Sequence, residues 1–298
     1  KEIKSAANRC TVIRRGKYIG TVNVSETSEA EMAKMMVGRE VSFSVEKEEA
    51  KPKEVVLKMD NLCVKNNKKV LGLKNFSLEV KAGEIVGIAG VEGNGQTEIV
   101  EALTGMRPVE SGTITFKNKD ITKESIRQRI DDGMAHIPED RHKRGLMEDN
   151  MVLKVYKNKP FSKNGLINKK EITKYANHII ETFDVRSGEG GKSIARSLSG
   201  GNQQKGIIGR EVESNPDLLI AVQPTRGLDV GSIEYIHKRL VEQRDSGKAV
   251  LLVSLELDEV LNVSDRIAIV NNGELIGIVN ANETDVGLMM AGIKKGEK

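Results

Sequence analysis

The sequence predicts an α/β fold in which buried strands run into glycine-rich turns, and three observations carry that prediction. Residues 84–97 (EIVGIAGVEGNGQT) read as a short apolar strand, a glycine loop and the start of a helix. Residues 218–231 (LLIAVQPTRGLDVG) and 249–254 (AVLLVS) begin as unbroken apolar runs of strand length, as strands covered on both faces do. Residues 198–205 (LSGGNQQK) are a second glycine turn opening a helix.

Along the chain, residues 84–97 set out the first site. Gly90, Gly93 and Gly95, with Asn94 among them, let backbone amides approach the α- and β-phosphates of a nucleotide, while the helix that follows turns Ile99, Val100 and Leu103 inward. Thr97 stands where a hydroxyl binds Mg²⁺, but in the pattern G-x-x-x-x-G-K-[ST] Gln96 replaces the lysine. The amide keeps its hydrogen bonds and loses the charge. A charged hydrogen bond contributes about 1.5–3 kcal/mol, which corresponds to roughly 10- to 150-fold in affinity. Between Leu62 and Gly72, ahead of the loop, no aromatic residue is present to stack an adenine.

Between residues 140 and 197 the pattern turns helical. Ile172, Tyr175, Ala176, Ile179, Ile180 and Phe183 follow the i, i+3, i+4, i+7 rule and mark an amphipathic helix packed in a helical subdomain. Arg141, His142, Lys143 and Arg144 read either as a solvated loop or as a contact for an anionic partner. At residues 198–205 the Ser199 hydroxyl and the amides of Gly200 and Gly201 offer a nest for a terminal phosphate; the alternative is a plain loop-to-helix junction. Gly206, inside that helix, costs about 1 kcal/mol against Ala and has no functional reading.

The later strands lack the acids that an ATPase built on such a loop requires. The strand at 218 ends in Val222 and Gln223, where Asp for Mg²⁺ and Glu for water are expected. Valine ligates nothing, and glutamine accepts no proton; loss of a general base costs about 10²–10⁴ in rate. Leu255 follows the strand at 249, where a switch histidine is expected.

Composition narrows the functional classes. Lys+Arg 47 against Asp+Glu 43 gives a net charge of +4, too balanced to imply nucleic-acid binding, and aromatics at 3% supply no base-stacking platform. Cys10 and Cys63 are far apart and form no metal-type pair, which suits a reducing cytosol. No apolar run approaches the ~20 residues of a membrane span, and Lys1 to Lys4 open no signal peptide.

An internal repeat exposes the organisation. Residues 2–27 match residues 259–284, with Arg9/Arg266, Gly16/Gly273, Gly20/Gly277 and Asn23/Asn280 all 257 positions apart. Each copy reads as strand, glycine turn, strand, and leads to a Met pair before a Gly: Met35, Met36 and Gly38, then Met289, Met290 and Gly292. The expected division is a first-domain tail at 1–45, a charged linker at 46–54 (EKEEAKPKE) and a complete domain at 55–298.

Taken together, Gly90 to Thr97, residues 198–205 and residues 223–231 resemble, in order, an ATP-binding-cassette (ABC) domain. More narrowly, Pro138, Glu139, Asp140 and Arg141, the Asn202 form of the signature, and residues 224–229 (PTRGLD) resemble the tandem-domain ATPases of simple-sugar and nucleoside importers. Gln223 is most similar to the nucleoside branch. Residues 55–298 resemble the second, often degenerate cassette, and residues 1–45 the end of the first.

That resemblance implies an α/β P-loop NTPase fold: a mixed core sheet, an antiparallel β subdomain and an α-helical signature subdomain at about 141–200. It implies ATP and Mg²⁺ as cofactors, with Gly90, Gly93, Asn94, Gly95, Gln96, Thr97 and Glu139 on the loop side. Leu198, Ser199, Gly200, Gly201, Asn202, Gln203 and Asp229 lie on the signature side, and Thr97 and Glu139 are the metal ligands. Residues 145–150 look shorter than the family's segment. The implied partners are a first ABC cassette of the same chain, transmembrane permease subunits at the cytoplasmic face of the membrane and, indirectly, an extracytoplasmic solute-binding protein. Nucleic acid is not among them. Such a domain supplies its signature to the partner cassette's ATP and hydrolyses almost none alone. The competing readings are a soluble tandem ABC ATPase acting on ribosome or nucleic acid, disfavoured by the short, charge-mixed 38–55 gap, and a non-catalytic regulatory cassette.

Overall fold

Burial patterns along the strands divide the protein into two layers of sheet. The computed structural model describes residues 2–14, 16–40, 45–140, 150–187, 195–281 and 286–292. Residues 2–40 hold α1 (Glu2–Ala6), a hairpin of β1 (Arg9–Arg14) and β2 (Lys17–Asn23), and α2 (Glu29–Val37). Next come β3 (Val55–Lys65), β4 (Leu71–Lys81), β5 (Ile85–Ala89), α3 (Gln96–Thr104), β6 (Ser111–Phe116), β7 (Lys119–Asp120) and α4 (Ile126–Asp131). The antiparallel order β4-β3-β6-β7 buries alternate residues, and Leu57, Leu62, Phe76 and Phe116 meet beneath it at 1% exposure or less.

The second layer is a six-stranded mixed sheet. It adds β8 (Met134–Ile137), and after the small hairpin β9 (Ser162–Lys163) and β10 (Leu166–Ile167) come α5 (Lys169–Thr182) and α6 (Gly200–Glu213). Then follow β11 (Leu218–Val222), α7 (Val230–Asp245), β12 (Ala249–Val253), α8 (Leu257–Val263), β13 (Arg266–Asn271), β14 (Glu274–Asn280) and α9 (Val286–Met290). Strand order is β14-β13-β5-β12-β11-β8; only the β13–β14 pair is antiparallel. Every residue of β5, β11 and β12 is buried, as their unbroken apolar sequences predict. Among the described residues no helix is long and apolar enough to cross a membrane.

The sequence repeat is a structural repeat. Arg9 pairs with Asn23 and Arg266 with Asn280; the two hairpins keep one register throughout, down to a shift between Val12 and Ile13 matched between Ile269 and Val270. In the same way Met35 lies over Gly20 and Met289 over Gly277, and Gly38 and Gly292 both take positive φ after their helices. The surroundings differ. β13 lies against β5, whereas among the described residues β1 pairs with β2 alone. Ile13 is accordingly 66% exposed where its counterpart Val270 is at 0%.

Residues 46–54 form no helix or strand, in keeping with a linker, yet they are not a free tether. Lys47 donates to Val263 O and Ser264 O, Arg244 to Glu48 O, and backbone bonds join Lys53 to Ala82 and Ala82 to Glu54. In the sequence their charges mark a linker; in the fold, part of that charge is a clamp. Burial pushes the Lys47 ammonium below its ordinary value, although Asp265 beside it acts the other way.

The amphipathic helix expected at 172–183 is α5, with Ile179 and Phe183 buried and Ile172, Tyr175, Ala176 and Ile180 half-buried. It crosses α6 at Gly209. A Cβ on Gly209 would stand 2.7 Å from Ile179 and 2.9 Å from Phe183, and one on Gly206 would stand 3.1 Å from Met151, so close packing accounts for both glycines. Residues 141–149, which include the basic run Arg141 to Arg144 and most of the 145–150 segment expected to be short, lie outside the described residues.

Gly209→Val overpacks this crossing. It should destabilise the fold by about 2 kcal/mol, seen as a lower urea midpoint with an unchanged m-value.

Candidate functional site

Loops leaving the carboxyl ends of the parallel strands meet in one cleft of about 670 Å³, within the range of small-molecule sites. After β5, the glycine loop turns at Gly93 and Gly95, both at positive φ, and Gly95 caps α3 without any side-chain bond. The first-turn amides of α3 are left for a ligand. Glycine is required at Gly90, where a Cβ would lie 2.6 Å from both Gln96 Nε2 and Val270 O. Asn94 fixes the loop from outside: its carbonyl accepts from Gly273 N at 3.0 Å and its side chain from Asn272 N at 3.2 Å, so the β13–β14 turn braces the loop.

Gln96 is 6% exposed. Its Nε2 donates to Val91 O at 3.2 Å, and its Oε1 is buried without a donor among the described residues. The side chain that replaces the lysine therefore folds onto its own loop. Thr97 is exposed on the cleft wall, and Glu139, just beyond β8, faces the same space. The Glu139 carboxylate is paired with Arg226.

Gln223 closes β11 at φ 47°, its N–H donating to Val253 O at 2.8 Å. Val222 and Leu255 complete that wall with hydrocarbon. His136, which sequence reasoning passed over, also lines the cleft; its position inside an apolar strand carried no motif. Glu92, Glu101, Glu139 and Asp140 make the lining acidic, with Glu101 held by Arg107 at 2.6 Å.

The signature residues gather elsewhere, and none of them lines this cleft. Ser199 caps α6 by backbone position, with no side-chain bond to the helix amides; its hydroxyl instead accepts from Asn202 Nδ2 at 3.0 Å. Asn202 Oδ1 in turn accepts from Arg186 N at 2.9 Å, which steadies the turn from the end of α5. Leu198 packs on the core and accepts through its carbonyl from Gln203 Nε2, while Gln203 Oε1 is buried without a donor among the described residues. Gly200 begins the helix, and Gly201 abuts α7, where a Cβ would stand 2.3 Å from Ser232 Oγ. Asp229 caps α7, accepting from Ser232 N and Oγ.

Glu211 on α6 ties the helix that begins at Gly200 to the strand before Glu139. This fully buried carboxylate accepts from His136 N at 3.1 Å, on the strand leading to Glu139, and is paired with Lys154 and Arg210. Burial pushes its pKa up, but the two cations outweigh burial and hold the carboxyl below its ordinary value.

For Mg²⁺, the fold brings Thr97 and Glu139 to one cleft, while Val222 supplies no donor. Among the described residues no group of three His, Cys, Asp or Glu is placed to hold a metal by itself. One hydroxyl and one carboxylate suit Mg²⁺ only when phosphates and water complete its octahedron.

Residues 73–226 match the protein-family model described as ABC transporter. The chain is 52% identical over 98% of its length to the nucleoside import ATP-binding protein NupA of Lactococcus lactis subsp. cremoris, covering 59% of it. It is also 52% identical, over 97% of its length, to the guanosine import ATP-binding protein NupO of Bacillus subtilis, covering 58% of it. The chain thus spans less than two thirds of the length of these curated relatives. The dimeric structure of MJ0796, a bacterial ABC transporter cassette, superposes with a TM-score of 0.65 at 22% identity, covering 76% of this chain and all of that one.

The depressed Glu211 carboxyl contributes stability above the ordinary value of 4.5, and that contribution is lost as pH falls through its lower folded value. Urea melts from pH 7 to acid should show this limb. Glu211→Gln should flatten it and cost about 3 kcal/mol at pH 7, because Lys154 and Arg210 stay behind unneutralised.

Proposed function

The chain belongs to the ABC transporter family, and from that premise we propose that it is an ATP-binding part of a nucleoside importer whose own nucleotide site is degenerate. One observation carries the reading: the impaired cleft and the intact signature occupy separate places on the same chain. A cleft with Gln96, Val222, Gln223 and Leu255 holds a nucleotide by backbone amides and has no carboxylate at the end of β11, where Gln223 stands, to activate water. The signature turn from Leu198 to Gln203 keeps its hydroxyl, its open helix end and its bracing, and it serves a nucleotide held by a second cassette.

Within the cleft, Gly93 and the α3 amides receive the phosphates, and Thr97 and Glu139 are the ligands offered to Mg²⁺. A bound Mg²⁺ would neutralise phosphate charge that Gln96 leaves unanswered. Glu139 has to leave Arg226 to take part. Asp229 and Gly201 pack together, so movement at the signature is felt at the start of α7.

The second cassette is the domain whose end the β1–β2–α2 unit forms. A two-stranded hairpin alone is marginal in water. Here the edge of β1 from Arg9 to Val12 corresponds to the edge of β13 that pairs with Val86 to Ala89, and the exposed Ile13 corresponds to a core valine. Both features fit a missing core sheet that begins with a strand like β5. The names of the two relatives support nucleosides as cargo, delivered through permease subunits at the cytoplasmic face of the membrane. Closure of the two cassettes on ATP drives release of the cargo inward.

In the protein that joins this chain to its first cassette, Ser199→Arg should abolish ATP hydrolysis, whereas Gln96→Ala should leave most of it. Equal damage from both refutes the asymmetric reading. In the 298-residue chain alone, Gln96→Lys should tighten MgATP by roughly 10-fold or more, read by calorimetric titration. Uptake assays with nucleosides, ribose and galactose should show transport of nucleosides.

A further inference from the structure

Positive charge is concentrated in one short stretch. Residues 151–174 contain seven lysines and a single acid, Glu171, a surplus of six; the whole chain carries +4, so everything else is net negative. Lys154 is consumed by Glu211. Lys157, Lys159, Lys163, Lys169, Lys170 and Lys174 are all exposed, and none has a carboxylate within ion-pair distance among the described residues. A solvated helical surface ordinarily mixes its signs, and this one does not.

Large aliphatic side chains stand among these lysines. Leu166 is 77% exposed, Ile167 57% and Leu153 55%. Leu166 and Ile167 form β10, presented by the Asn164–Gly165 turn, both residues at positive φ. The finger is anchored. Phe161 packs edge-on against Tyr175 of α5 at 5.0 Å, Asn168 N donates to Phe161 O, and Ser162 Oγ to Lys157 O. One anchored, local element therefore displays cations near an exposed apolar tip.

We propose that this face docks onto the anionic headgroups of a phospholipid bilayer. Charge complementarity calls for an anionic surface, and the composition of the patch selects among such surfaces. Lysines act as point charges that suit a diffuse layer of headgroups, while bidentate readout or stacking of nucleic acid would use arginine and exposed aromatic rings; residues 151–174 contain no arginine, and their two rings, Tyr156 and Phe161, are half-buried and buried. The aliphatic tip gains from partial burial at the headgroup boundary. Docking involves no residue of the nucleotide cleft, so it stands or falls apart from the ATP chemistry.

Vesicle sedimentation of the 298-residue chain tests it, with phosphatidylcholine alone and with about 30 mol% phosphatidylglycerol, between about 50 and about 500 mM salt. Binding should appear only with the anionic vesicles and fade with salt. At about fivefold per lysine, the combined Lys163→Glu, Lys169→Glu and Lys170→Glu variant should bind roughly 100-fold more weakly. Leu166→Ser with Ile167→Ser should weaken binding about 10-fold. A control of equal charge change, Lys17→Glu, Lys68→Glu and Lys238→Glu, should retain binding, and circular dichroism should find every variant folded because all these side chains are exposed. Equal sedimentation with neutral vesicles, no binding at all, or equal loss in the control overturns the proposal. So does tighter binding to an acidic peptide that the patch variant loses, which would assign the face to a protein partner.

Discussion

Asp265 holds the base of the six-stranded sheet together. Its Oδ2 accepts from Ile85 N at 2.8 Å, its Oδ1 from Arg244 at 2.8 Å, and Lys47 lies 3.5 Å away. The Arg244 side chain is 1% exposed, and a buried guanidinium without a carboxylate is strongly destabilising. The pairing therefore obliges the start of β5, the end of α7, the start of β13 and the 45–54 segment to converge. Glu84, at 1% exposure, does the same for β4 and β13 through Arg266, whose pKa is raised by that hydrogen bond. One end of the sheet is closed by charge, and the opposite end is left to loops.

At that open end two features stand apart. After β5 a glycine loop leads into α3, whose first-turn amides face the cleft. The ends of β11 and β12 bring Val222, Gln223 and Leu255 to the same cleft, none of them an acid or a base. The Leu198 to Gln203 turn at the start of α6 lies outside it, so the side chains of the cleft do not set the geometry of that turn. Glu211 nevertheless links the two, holding the strand before Glu139 and the signature helix to one buried carboxylate.

Two further surfaces have distinct physical characters. The outer edge of β1 pairs with no strand among the described residues and carries the exposed Ile13, which suits another strand. The β9–β10 finger offers cations and aliphatic side chains, which suits a boundary between water and hydrocarbon.

Local sequence alone marked the buried strands, one amphipathic helix and part of the cleft lining. Unbroken apolar runs marked β5, β11 and β12, a 3.6-residue stripe marked α5, and a constant 257-residue offset marked twin hairpins, because strand and helix burial are periodic properties of nearest neighbours. Tertiary structure alone decided which residues share a space. His136 entered the cleft, the Leu198 to Gln203 turn stayed out of it, Gln96 turned onto Val91 O, and the charged 46–54 segment became a clamp through Lys47 and Arg244. Each of these depends on a partner tens to hundreds of positions away or on the path of a loop, and long-range pairing of polar groups leaves no periodic trace in a sequence. Gly209 makes the same point. In the sequence it is only a poor helix former, while in the fold it is the one residue small enough for Ile179 and Phe183 to pass.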